Sequence, residues 1–157
     1  MKISRLILPL MFLGVATVSQ AQTASTAAFS DEDLKKYAIT MDSVKGMQQT
    51  LTAIITEMVQ KNTVMKVTRY NELFKIIGDT TKLAAANATP EEIAFVKEVG
   101  TTREDNIARI NTTYQALAKD FVGLKAFNAI KKSLESDANV KAKYESISKE
   151  LESKGGD

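Results

Sequence analysis

The sequence predicts an all-α fold, an antiparallel bundle of two long helices with two or three shorter ones. Three observations lead there. Apolar residues recur at alternating steps of three and four over most of the chain, which is the period of one helix face. No stretch alternates with a period of two for long enough to make a strand. Capping residues stand ahead of several of the apolar series. Helices with a single apolar stripe bury it on one another, and the result is a bundle.

Residues 1–21 read as a secretory signal peptide. Lys2 and Arg5 give a cationic start, residues 6–18 are apolar, and Ser19-Gln20-Ala21 suits cleavage after Ala21. The apolar run is too short for a bilayer span of about 20 residues. With no cysteine to acylate, a lipoprotein anchor is excluded. Export to the periplasm or beyond is expected, with no integral membrane segment after cleavage. Residues 22–29 are expected as a flexible lead, 30–152 as a single helical domain, and 153–157 as a disordered tail.

Ser30 followed by Asp31, Glu32 and Asp33 predicts a capped helix start, where carboxylates favour the dipole. Leu34, Tyr37, Met41, Val44, Leu51, Ile55 and Met58 then share one ladder, interrupted at Gln48. That is a helix of roughly eight turns, about 45 Å long. The phase slips at Asn62-Thr63, before Val64, Val67, Tyr70, Phe74 and Ile77, so residues 31–77 form one bent helix or two. Residues 78–89 read as a loop, with a short helical turn open at 82–86. Thr89-Pro90-Glu91-Glu92 is the strongest start signal, with a capping hydroxyl, proline in the first turn and glutamate at the third position. The second long helix carries Ile93, Val96, Ile107, Ile110, Tyr114, Leu117 and Phe121, with Gly100 as a point of kinking or interruption and Gly123 as its end. Two shorter pieces follow: Leu124, Phe127, Ile130 and Leu134, then Val140, Tyr144, Ile147 and Leu151, with a cap at Ser136-Asp137.

Composition narrows the chemistry. The 157 residues include no histidine, cysteine or tryptophan, so imidazole and thiol catalysis and structural zinc sites have no ligands here. A di-iron carboxylate bundle needs Glu-x-x-His. Calcium loops fail because Asp31-x-Asp33 runs into Lys35, and Asp137-x-Asn139 into Lys141. Ser146-x-x-Lys149 has a serine-lysine spacing but no companion motif. Removal of Lys2 and Arg5 from the 21 basic residues leaves 19 against 19 acidic ones. Lys35-Lys36 and Lys131-Lys132 are the only basic doublets, so nucleic acid is not an expected partner. Met41, Met47, Met58 and Met65 along the first long helix are read first as core, with a thioether Cu(I) site and an adaptable client groove as sharper readings. Tyr37, Tyr70, Tyr114 and Tyr144 are spaced as core residues. No catalytic, cofactor-binding or metal-binding residue is nominated, and no cofactor is expected.

Two stretches carry a likeness. The run from Phe29 to Ala38, with Ser30-Asp31-Glu32-Asp33-Leu34-Lys35-Lys36-Tyr37 between them, resembles the opening of the exported bacterial proteins grouped as domain-of-unknown-function family 4168 (DUF4168). Phe127-Asn128-Ala129-Ile130, Asp137 and the run from Val140 to Ile147 are similar to that family's closing segment. The resemblance implies an exported helical domain and carries over no functional residue. Together these readings lead to an exported, non-enzymatic interaction or structural module of the cell envelope, with a protein partner or self-association. A periplasmic chaperone-like or stress-response bundle is the alternative, although Leu51-Thr52 lacks the glutamine of a Leu-Thr-x-x-Gln repeat.

Overall fold

Ser30 and Asp33 start the first helix as the sequence predicts. The Ser30 hydroxyl accepts from the Asp33 amide at 3.1 Å, and the Asp33 carboxylate accepts from the Ser30 amide at 2.8 Å, a reciprocal cap. The computed structural model describes residues 28–154, so the signal peptide and most of the lead lie outside it. Phe29 does not belong to the lead. It packs against the core beside the cap, as an apolar residue preceding a cap commonly does.

The order is α1 Asp31–Lys61, α2 Val67–Phe74, α3 Thr80–Ala85, α4 Pro90–Ala116, a π-helical segment Leu117–Gly123, α5 Leu124–Ser136 and α6 Ala138–Lys154. The described residues contain no strand, and none of their helices is long and apolar enough to cross a membrane. Residues 31–77 form two helices. Asn62 makes the break, since its Oδ1 accepts from the Val64 and Met65 amides at 3.0 and 2.9 Å while its Nδ2 donates to the Val59 carbonyl. The stretch 78–89 is more ordered than a loop. Asp79 caps α3 by accepting from the Lys82 amide at 3.0 Å, and only residues 86–89 turn before α4. Gly100 leaves α4 uninterrupted. At the other end α6 continues through Ser153 and Lys154, two residues into the expected disordered tail. Ser153 Oγ donates to the Glu150 carbonyl there at 2.8 Å.

α1 and α4 pack antiparallel, with Ser43 near Thr113 at one end and Met58 near Phe95 at the other. Gly123, at φ 88°, then turns the chain, as its lack of a Cβ permits. α5 packs on the start of α1, and α6 returns alongside α1 in the same direction, with Lys143 at Asp31 and Glu152 at Lys45. The π segment shifts the buried face by one residue. Leu117 and Phe121 belong to the predicted stripe, but Ala118 and Val122 are the buried pair and Phe121 is 39% exposed. A π turn holds one more residue than an α turn, and that rotates the phase.

Two cores result. Leu34, Tyr37, Ala118, Val122, Phe127 and Ile130 form the first, at the start of α1. Val59, Tyr70, Leu73, Leu83, Val96 and Val99 form the second, around the far ends of α1 and α4. Burying each such aliphatic side chain contributes roughly 1.5–3 kcal/mol.

Candidate functional site

Between the two cores α1 and α4 run with little cover from the other helices, which reach this stretch only at Lys45 and Gln48 beside α6 and at Arg103 beside Phe74. No α1 residue between Val44 and Val59 is buried, and no α4 residue between Val99 and Ile110 is buried. This waist is about 22 Å long on α1 and about 16 Å long on α4. Grooves flank its seam. One, of about 410 Å³, has Met47, Ile54 and Ile110 along its floor, with Ser43, Thr50, Asn106, Thr113 and the Arg109 guanidinium at its edges. The second, of about 340 Å³, is lined by Leu51, Thr52, Ile55, Thr56, Arg103 and Ile107.

Gly46 and Gly100 sit in α1 and α4 at the waist, and a Cβ at either would meet nothing within 4 Å. Ile107, expected on the buried stripe, is 44% exposed because no third helix covers it. Arg103 lies 5.3 Å from the Phe74 ring centroid, so its cation bridges the second groove and exposed Phe74. What such a surface can do is make contact. It offers apolar grooves, hydroxyls and guanidinium groups, and Thr50 already uses its proton on the Gly46 carbonyl at 3.0 Å.

The residues singled out by sequence go to different places. Met41 joins the first core, Met58 and Met65 the second, and Met47 the first groove, so the four thioethers do not converge. Tyr37, Tyr114 and Tyr144 gather in the first core, with Tyr37 4.8 Å and Tyr114 5.7 Å from the Phe127 ring. Tyr70 sits in the second core, and its buried hydroxyl has no hydrogen-bond partner. Burial pushes the Tyr70 hydroxyl above the ordinary tyrosine range, against a smaller opposing pull from Arg103. Ser146 and Lys149 are exposed. Among the described residues no group of three or more carboxylates is placed to hold a metal ion.

Sequence reasoning missed the Arg69–Glu92 pair. Glu92 was legible as a capping residue, but nothing in the order of residues distinguishes Arg69 from other surface cations. No family model, curated protein or solved structure matches this chain.

Proposed function

We propose that the protein is an exported, non-enzymatic helical module that acts by contact in the cell envelope, through the waist of α1 and α4. The observation that carries this reading is the uncovered seam, where Met47, Leu51, Ile54 and Ile107 line two grooves between separately packed cores. Exposed apolar residues gathered in a groove are the usual mark of a partner helix or peptide. Residues 1–21 support delivery to the periplasm or beyond. The likeness of both chain ends to domain-of-unknown-function family 4168 agrees with an exported helical domain.

Photo-crosslinking tests it. A photoreactive side chain at Leu51 or Ile107 is expected to capture a protein partner or a second copy in the envelope, one at exposed Lys97 is not, and Ile107→Arg abolishes capture. Background capture at both groove positions, with a monomer in sedimentation, counts against the reading.

A chaperone-like role is the second reading. Exposed Ile107, Phe121 and Leu124, together with Met47 in a groove, favour it, because methionine repacks around varied clients. Failure to suppress aggregation of a model client at several-fold molar excess removes it.

A further inference from the structure

α6 differs from every other helix in how it is held. None of residues 138–153 of α6 is buried, whereas each of the other described helices and the π segment has at least one buried residue. Val140, Tyr144 and Ile147 are half-buried against the first core, with Tyr144 edge-on to Tyr37 at 5.8 Å, and Leu151 is half-buried further along. Beneath them the fit is incomplete. A groove of about 270 Å³ runs between α1 and α6, and Ala38, Met41 and Val44 face it from α1. Two ion pairs close the ends, Lys143 with Asp31 and Lys45 with Glu152, the latter at 2.6 Å. Both pairs are about half exposed or more, and exposed pairs are weak and screened by salt. Asp137 alone separates α5 from α6, in extended conformation. It caps α6 from outside by accepting from the Asn139 and Val140 amides, so the cap moves with the helix.

We propose that α6 is a displaceable strap, which swings from α1 about Asp137 as one unit, taking Val140, Tyr144 and Ile147 off the first core while that core's buried residues and the second core stay packed. Its release uncovers Ala38, Met41 and Val44, an apolar strip on α1 between Asp31 and Lys45. Units with few buried contacts and exposed ties open at the lowest free energy, and α6 has the fewest buried side chains in the fold. The strap therefore gates a face distinct from the waist, and its opening requires no partner to be observed.

The absence of cysteine makes the test direct. Ala38→Cys reports the strip beneath α6, and Val99→Cys, at a site 0% exposed in the second core, reports global unfolding. Under native conditions Ala38→Cys is expected to react with a thiol reagent at least about tenfold faster than Val99→Cys. Adding Glu152→Lys should raise the Ala38→Cys rate roughly two- to fivefold, and adding Lys45→Glu as well should return it towards the starting rate, with Val99→Cys unmoved throughout. Equal rates at the two cysteines, or no response to charge reversal, overturns the proposal. Hydrogen exchange on the unsubstituted chain provides a second measurement. Amides of α6 should exchange together with a weaker denaturant dependence than those of α1, and protection equal to that of α1 overturns the strap.

Discussion

Arg69 and Glu92, 23 residues apart, meet as a two-pronged ion pair, with Nε to Oε1 and Nη2 to Oε2 both at 3.0 Å. The same Nη2 donates to the Ala86 carbonyl at 2.9 Å, and Glu92 Oε2 also accepts from the Thr89 amide at 3.0 Å. One carboxylate thus completes the cap of α4 and fastens α2 and the turn after α3 to it. Glu92 is the more enclosed partner, its side chain 14% exposed.

Removing Glu92 takes away a cap and leaves the guanidinium only the Ala86 carbonyl and the looser, exposed Glu72 carboxylate at 3.7 Å. Glu92→Ala should lower stability by about 2 kcal/mol, as a lost cap plus lost charge-assisted bonds imply. Arg69→Lys cannot reproduce two parallel donors and a third to Ala86, so it should lower the Tm by part of the Glu92→Ala effect. Chemical denaturation and a melting curve check both, and equal stability of Glu92→Ala and the parent chain contradicts the role given to the pair.

Acid should destabilise the fold through the caps. Arg69, and then the Thr89 amide, hold the Glu92 carboxyl below the usual glutamate range, while the Ser30 and Lys82 amides do so for Asp33 and Asp79. A group whose folded pKa is depressed adds stability that is complete above its unfolded pKa, about 4 for these side chains, and is lost as pH falls through the folded value. Stability should therefore decline below about pH 4, and Glu92→Gln should make that decline shallower in denaturant titrations.

Tyr70→Phe should be neutral or stabilising by up to about 1 kcal/mol, because the hydroxyl it removes is buried without a partner. Alkaline pH provides a related readout. Burial raises the pKa of Tyr37 and Tyr70, so their contribution is complete below the unfolded value near 10 and is lost as pH rises through the folded one. Tyr70→Phe should soften that alkaline loss.

Three glycines should respond with two signs. Gly46→Ala and Gly100→Ala add a methyl where nothing lies within 4 Å, in helix interiors, and each should stabilise by about 0.5–1 kcal/mol. Gly123→Ala forces an L side chain onto φ 88° and should cost more than about 1 kcal/mol. Thermal melts of the three variants decide it.

The all-α fold was legible because spacing and caps agree. Ser30, Thr89 and Asp137 each carry a side-chain oxygen whose bond to a nearby amide is local, so sequence alone locates it. The break at Asn62 was visible as a phase slip but left open, since deciding it required the bonds its amide makes on both sides. The rotated face at Ala118 and Val122 was not legible, because the three-and-four ladder assumes an unbroken α period and the π segment departs from it. The exposure of Ile107 was hidden for a similar reason. Periodicity tells which face is apolar, and not whether another helix arrives to cover it.

Two side-by-side rods linking two packed ends form a lever. A few degrees of change in the crossing of α1 and α4 at the waist would displace each end by a distance that grows with rod length. α1 contributes Leu34 and Tyr37 to one core and Val59 to the other, so a change of angle between the rods at Leu51 and Ile107 would move the two cores relative to each other.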